Sequence, residues 1–164
     1  MSQTAKNTFS LPYPPDVVFA ALTDPAFLEA NFRKQDNPDV KVTERSRTDD
    51  ELLIDCDVTE YAKGMGGVDR SKTQKTHTLY VWKVGTRAGE WTYTNPSTHG
   101  KLAKVWGSSR VRADGAGTAL DEEFSVNVKI PLVGGKVEKI IIGEVKKYWP
   151  TFEKLLSEWC EKHK

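Results

Sequence analysis

The sequence TALDEEFSVNVKIPLVGGKVEKIIIGEVKKYWPTFEKLLSEWCEKH, residues 118–163, changes its hydrophobic period after about the first third. Before Pro131 apolar and polar residues alternate, which is typical of a strand with one dry face and one wet face. From Lys136 to His163 the apolar residues recur at spacings of three and four, which predicts a long amphipathic helix. That apolar stripe consists of Val137, Ile140, Ile141, Val145, Tyr148, Phe152, Leu155, Leu156 and Trp159.

Strand patterns also fill the middle of the chain. The clearest has Leu52, Ile54, Cys56 and Val58 on one parity, with polar residues between them. A glycine-rich loop is predicted at 64–67, and Asp114-Gly115-Ala116-Gly117 marks a turn. The predicted strands before residue 118 are 9–11, 40–43, 52–59, 75–84, 91–95 and 101–112. Strands this close together, with turn residues between them, predict an antiparallel meander.

Two short helices are predicted after the first strand. Pro14-Pro15-Asp16 begins one of them, since proline is tolerated in a first helical turn and an acidic residue there suits the helix dipole. Asp24 followed by Pro25 caps the next, whose buried side chains are Phe27, Leu28 and Phe32. Because only the last helix is long enough to cover the dry face of the sheet, the sequence predicts an α+β fold. In it, a curved antiparallel sheet of about six or seven strands wraps around the C-terminal helix.

Composition bounds the function. A length of 164 residues predicts a single domain spanning 1–164. The formal net charge is only +1, which argues against a nucleic-acid partner. Apolar runs are too short for a membrane-spanning segment, and the first residues do not resemble a signal peptide. The two cysteines, Cys56 and Cys160, lack a metal or redox spacing, so we expect a cytoplasmic protein.

The order of elements resembles the helix-grip fold of the START-like (SRPBCC) superfamily. A closer likeness is to an uncharacterised bacterial family within it. This likeness is carried by the residues FSLPYPPDVVF (9–19), LTDP (22–25), GAGT (115–118) and VKIPLVGGKVEK (128–139). The superfamily includes lipid-transfer domains, pollen allergens of the birch type, polyketide cyclases and coenzyme-Q-binding proteins. The resemblance implies a cavity between sheet and helix that holds a small hydrophobic ligand, and it implies no catalytic residue.

The aromatic content, with five Trp, five Tyr and six Phe, fits such a cavity, because Tyr and Trp combine an apolar body with one polar group. Any one of these residues is more often ordinary core. We expect the two short helices to close one end of the cavity. The predicted ligand-binding residues are Trp91, Tyr93, Glu122, Phe124, Val126, Ile141, Val145, Tyr148 and Phe152.

Glu122 is the most informative polar residue. It is separated by even numbers of residues from Leu120, Phe124 and Val126, so its side chain is predicted to point to the same, covered face of the sheet. A carboxyl group there must be paired, hydrated by a cavity or raised in pKa, which makes it a candidate for contacting a ligand. The alternative is that a bulge or an edge position lets Glu122 reach water.

Metal and cofactor chemistry has no support in the sequence. His77, His99 and His163 lack ligand spacing, so no metal site and no cofactor are predicted. The glycine-rich segments at 64–67 and 134–135 lack the pattern of a phosphate loop, and no nucleophile elbow is present.

Three functions remain open on the sequence alone. The first is a binding or transport protein for a small apolar or amphipathic molecule such as a lipid. The second is an enzyme of the polyketide cyclase, dehydratase or hydrolase kind, with Glu122 or a Tyr as acid or base and His77 as a weak partner. The third is an interaction module, which a filled core and an exposed apolar patch would favour.

Overall fold

The computed structural model describes residues 2–64, 67–96 and 100–164. Its helices are α1 (Pro15–Leu22), α2 (Pro25–Lys34) and α3 (Gly134–His163), with one 3-10 turn at Gly100–Leu102. Its strands are β1 (Ser2–Leu11), β2 (Asp39–Arg47), β3 (Glu51–Gly64), β4 (Gly67–Lys83), β5 (Ala88–Thr94), β6 (Ala103–Asp114) and β7 (Gly117–Val128).

All seven strands form one curved antiparallel sheet in the order β1-β7-β6-β5-β4-β3-β2. The long helix α3 packs mainly on β1 and β7, and α1 and α2 lie beside it. This arrangement confirms the α+β helix-grip prediction. Asp24 caps α2 as expected, because its Oδ1 accepts a hydrogen bond from the Ala26 N–H at 2.9 Å.

Several boundaries differ from the predicted ones. Strand β1 begins at Ser2 rather than at Phe9. Ala5 and Asn7 also face inward, but neither is strongly apolar, so the sequence pattern did not show this part of the strand. Gly64 and Gly67, both predicted to be in a loop, belong to strands β3 and β4, and residues 65–66 of the predicted loop lie outside the described residues. His99 also lies outside them.

The apolar core consists of two clusters at opposite ends of the concave face. The larger lies under α1 and α2 and includes Phe9, Phe27, Leu52, Leu120 and Leu156. The smaller lies where α3 begins and contains Ala5, Val126, Val128 and Ile142. Half-buried Trp149 of α3 packs against both clusters.

The stripe predicted for α3 is wrong at Ile140, whereas Val137 and Ile141 pack against the smaller cluster. Ile140 is half exposed, whereas Ile142 and Glu138 are buried. Glu138 and Ile142 lie on the same face of α3 as Leu156 and Cys160, which are buried near the other end of the helix, because 18 residues make five full turns. Among the described residues, no helix is long and apolar enough to cross a membrane.

The turn from β7 into α3 is closely packed. The Gly134 N–H donates to the Ile130 carbonyl at 2.8 Å, and a Cβ on Gly134 would lie 2.4 Å from the Val128 carbonyl oxygen. Glu138, one turn into the helix, accepts the Val128 N–H on its Oε2 at 2.8 Å. Its side chain is 1 % exposed, so this carboxylate ties the helix to the last residue of the sheet.

We therefore expect Glu138→Ala to lower the free energy of unfolding by about 2–3 kcal/mol, because it leaves the buried Val128 N–H without a partner. Urea unfolding followed by circular dichroism measures this. Glu144→Ala, on the exposed side of the same helix, should change stability by less than about 0.5 kcal/mol. Equal losses in both variants would contradict a tie specific to Glu138.

Candidate functional site

A row of polar side chains crosses the concave face between the two apolar clusters. Glu122 of β7 lies between Asn7 of β1 and Ser109 of β6, its direct cross-strand neighbours. The same row continues across β5 to Trp82 of β4 through Gly89. Directly opposed residues in antiparallel strands share a face, so these groups point toward the helix side of the sheet.

Glu122 is held in this row by one short contact. The Ser109 hydroxyl donates to Glu122 Oε2 at 2.8 Å, and Ser109 itself is buried. Burial raises the pKa of Glu122 to about 8, the Ser109 hydrogen bond works in the opposite direction, and the negative charge of Asp121 adds to the rise. At neutral pH the carboxyl group is therefore mostly protonated and can donate a hydrogen bond.

Tyr80 of β4 faces the same region. Burial raises its pKa well above the ordinary value, with smaller contributions from Cys56 and Glu122. The side chain is half-buried, and its hydroxyl has no hydrogen-bond partner among the described residues. Because Tyr80 lies directly opposite Trp91 of β5, its phenol group stands at the border between the polar row and the aromatic surface beside it.

Trp91 and Phe124 form that aromatic surface. Their ring centroids are 5.5 Å apart with the planes tilted by 48°. Gly107 lies between them in the sheet, and a Cβ there would come within 2.3 Å of the Trp91 indole. The glycine therefore allows the indole to lie flat against the strand. Both aromatic side chains are half-buried.

A second polar pair lies further along the concave face. The Tyr93 hydroxyl donates to Glu60 Oε2 at 3.0 Å. Burial, followed by the negative charge of Glu60, holds the pKa of Tyr93 well above its usual value. Thr76 and Thr78, both buried, are the inward-facing residues of β4 beside this pair. The concave face thus carries polar groups on both sides of its aromatic surface.

The four predicted residues of α3 are placed differently from one another. Ile141 packs against the smaller core cluster, and Val145 is half-buried on the helix. The Tyr148 hydroxyl donates to Asn31 Oδ1 at 2.6 Å, and burial raises the pKa of Tyr148 to about 12. Phe152 contacts Phe9 with ring centroids 5.5 Å apart. Tyr148 and Phe152 therefore join α3 to α2 and to the larger cluster.

The structure thus brings only some of the nine predicted residues together on one surface. Trp91, Tyr93, Glu122 and Phe124 share the concave face and are half-buried, whereas Val126 on the same face is fully buried in the smaller cluster. Sequence reasoning missed Asn7, Ser109 and Glu60 as polar neighbours. Glu60 has the same parity as Ile54 and Val58, so the alternation that identified Glu122 would also have found it.

Other candidate groups lie elsewhere. His77 is on the outer face of the sheet, where its Nε2 is 2.7 Å from Asp55 Oδ1, so it cannot partner Glu122. Trp106 also lies on the outer face, under Lys104. Burial raises the pKa of the Cys56 thiol to about 12 and that of Cys160 to about 11, which leaves both thiols unreactive. Among the described residues, no cluster of His, Cys, Asp and Glu could hold a metal ion.

Shallow depressions on the outer surface, among the described residues, include two away from the concave face. One, of about 430 Å³, lies between the end of α2 and the middle of α3, and the other, of about 260 Å³, lies beside the end of β1. Neither is lined by any of the nine predicted residues. The perturbed carboxyl and phenol groups lie on the concave face instead, and that face is therefore the candidate site.

Solved structures of low sequence identity share this fold. TTHA0849 from Thermus thermophilus is 17% identical, with 98% of this chain and 99% of that chain covered and a TM-score of 0.64. The Zhui aromatase/cyclase from Streptomyces sp. R1128 is 12% identical, with coverages of 99% and 95% and a TM-score of 0.63. Norcoclaurine synthase from Thalictrum flavum is 9% identical, with coverages of 96% and 86% and a TM-score of 0.65.

These likenesses confirm the helix-grip fold that the sequence predicts. No curated protein sequence matches the chain. A family model does match residues 6–160, from β1 to the last turns of α3. It thus includes every element that forms the concave face, and the chain belongs to the family described as "Protein of unknown function (DUF2505)".

Proposed function

We propose that the chain binds a small apolar or amphipathic molecule between the concave face of the sheet and α3. The single observation that carries this proposal is the state of Glu122. Its carboxyl group is desolvated enough to raise its pKa to about 8, yet its side chain keeps some accessible surface. Both properties are expected of a group that faces an interior space instead of bulk water or packed side chains.

Neighbouring residues support the same interpretation. Four aromatic residues lie in inner strands of the seven-stranded sheet, where the side chains of a filled core would be fully buried. Each of them is only half-buried, namely Tyr80, Trp91, Tyr93 and Phe124. Helix α3 packs mainly on β1 and β7, so it leaves the concave face of the central strands less covered. The proposed space is therefore bounded by β4, β5, β6 and β7 and by the half-buried side of α3.

The chemistry of this surface favours an aromatic ligand with a hydrogen-bond acceptor. Trp91 and Phe124 offer a broad apolar surface, and a protonated Glu122 and the Tyr80 hydroxyl offer donors to a carbonyl or ether oxygen. Among proteins of the same fold, norcoclaurine synthase from Thalictrum flavum has been solved in complex with dopamine and hydroxybenzaldehyde. These ligands are aromatic and amphipathic, the class proposed here.

A cyclase-type enzyme is the second candidate function. It is favoured by a carboxyl group with a pKa near neutrality, which suits general acid–base catalysis. Two of the structures with this fold are described as an aromatase/cyclase and as the di-domain ARO/CYC StfQ of steffimycin biosynthesis. We favour binding because no second carboxylate or imidazole contacts Glu122 within the described part of the chain.

The proposed location is the cytoplasm, and the proposed unit is a single domain. Both Cys56 and Cys160 are free and buried, which suits a reducing compartment. The sheet and the helix that covers it are built from residues spread over the whole chain, from Ser2 to His163.

Binding can be tested with N-phenylnaphthylamine, a neutral aromatic probe that fluoresces in apolar surroundings. We expect the wild-type protein to bind it at micromolar concentration and Trp91→Phe to bind it several-fold more weakly, because the larger indole surface is lost. Fluorescence titration measures both affinities. Trp106→Phe removes an indole from the outer face and serves as the matched control.

Two outcomes would contradict the binding proposal. One is that the wild-type protein takes up no probe and carries no co-purified small molecule in native mass spectrometry. The other is that Trp91→Phe and Trp106→Phe weaken probe binding equally, since the probe would then be reporting on the exterior.

The raised pKa of Glu122 also predicts a pH-dependent stability. Its pKa is about 8 when folded and about 4.3 in an unfolded chain, so the folded state holds an extra proton between these values. The stabilisation from the neutral carboxyl is complete below the unfolded pKa and is lost as pH rises through the folded pKa, at most by about 1.4 kcal/mol per pH unit.

Glu122→Gln lacks this titration. Between about pH 5 and about pH 8, the free energy of unfolding of the wild type should therefore fall relative to that of Glu122→Gln. Urea unfolding at a series of pH values measures the difference. Glu123→Gln changes the next residue, on the outer face, and serves as the matched control. A Glu122→Gln difference that is constant with pH would show that the carboxyl is not desolvated.

A further inference from the structure

Exposed apolar side chains gather at one end of the molecule. Four of the five large exposed hydrophobic residues in the described part of the chain are Leu102, Leu132, Val133 and Ile140. Leu102 ends the 3-10 turn before β6, and its carbonyl accepts the Lys129 N–H at 2.7 Å. Lys129 leads directly into the turn that carries Leu132 and Val133. We call the surface formed by Leu102, Leu132, Val133, Ile140 and the residues next to them the α3-start end.

Leu132 is the extreme case. Its relative exposure is 105%, and its backbone has a φ of 69°, in the left-handed region. A residue with a Cβ is disfavoured there, and glycine or asparagine would be preferred. A leucine in this conformation thus costs stability while holding an apolar side chain fully in water. Such an arrangement is expected where the side chain has a partner outside the chain.

Five lysines lie within three positions of these apolar residues in the sequence, namely Lys101, Lys104, Lys129, Lys136 and Lys139, and Lys104 also contacts the Trp106 ring. All are exposed, and none pairs with a carboxylate among the described residues, whereas Lys6, Lys83, Lys147 and Lys164 each pair with a glutamate. Glu138 is the only acidic residue between 124 and 143, and its carboxylate is buried on the Val128 N–H. The α3-start end is therefore strongly positive in a chain of net charge +1.

We propose that the α3-start end docks on an anionic membrane surface, with Leu132 inserted among the lipids and the lysines contacting the headgroups. Apolar tips surrounded by lysines match a bilayer surface, which offers a negative headgroup layer over an apolar interior. The helical positions agree with this orientation. Val133, Lys136 and Ile140 follow one another at spacings of three and four, opposite the buried Glu138 and Ile142.

Other partners fit this surface less well. A second copy of the chain would bring two lysine clusters together, and like charges repel. A nucleic acid would leave Leu132 and Ile140 exposed, and the α3-start end contains no arginine, the residue best suited to phosphate and base recognition. Docking is independent of the proposed interior site, because none of the nine predicted ligand-binding residues belongs to the α3-start end.

The test is co-sedimentation with vesicles of phosphatidylcholine, prepared with and without one third phosphatidylserine. We expect the wild-type protein to bind the phosphatidylserine vesicles and to be released by salt. Leu132→Asn suits the left-handed backbone and should weaken binding about tenfold, through lost insertion. The double variant Lys136→Gln/Lys139→Gln should weaken it by a factor of about ten to thirty, since each lysine contributes about fivefold.

Matched variants keep the test specific. Val68→Asn removes an exposed apolar side chain from β4, and Lys41→Gln/Lys75→Gln removes two exposed charges from the sheet. Both should bind vesicles as the wild type does. The proposal is overturned if the wild type does not sediment with phosphatidylserine vesicles at low salt, or if control and test variants lose binding equally. It is also overturned if the protein binds a DNA duplex more tightly than vesicles and Leu132→Asn leaves both affinities unchanged.

Discussion

The direction in which α3 leaves the sheet depends on the contact between Glu138 and the last residue of β7. The carboxylate accepts the Val128 N–H, and the absence of a side chain at Gly134 lets the turn close on the Val128 carbonyl. These contacts fix the first turn of a helix of 30 residues. Because a helix is stiff, its starting direction decides which strands it crosses along its whole length.

That direction explains why the core is divided. Helix α3 lies over β1 and β7 and meets α1 and α2 near its C-terminal end, where Phe152, Leu156 and Trp159 pack. At its other end it packs Ile142 on Val126 and Val128. Between these contacts the sheet presents Asn7, Ser109 and Glu122 in place of apolar side chains, so the two clusters do not merge across the concave face.

Alternation in the sequence was informative where one face of a strand is dry and the other wet. It placed Leu120, Glu122 and Phe124 on the concave face and predicted an antiparallel sheet of about six or seven strands covered by the last helix. It was ambiguous in β4, where Leu79 and Val81 on the outer face are as apolar as Tyr80 and Trp82 on the inner one. It could not predict the polar extension of β4 from Gly67, because a hairpin outside the core shows no hydrophobic period.

Helical periodicity has a similar limit. Ile140, Ile141 and Ile142 are consecutive in α3, so spacings of three and four do not decide by themselves which of them faces the sheet. From sequence alone, a buried stripe that includes a glutamate is disfavoured. The partner of this carboxylate is the backbone N–H of Val128, and no residue type in the sequence reveals such a partner. The contacts of Glu122 with Ser109, and of Tyr93 with Glu60, depend likewise on strand register, which composition does not encode.

The cost of the polar row gives the strongest argument for its use. Apolar residues at positions 7, 109 and 122 would join the two core clusters and remove a carboxyl group whose pKa burial raises to about 8. Buried polar groups of this kind destabilise a fold unless they are satisfied, and here a single serine hydroxyl contacts the carboxyl. The polar row departs from the apolar pattern of the two core clusters, and such departures are expected where a ligand supplies the missing hydrogen bonds.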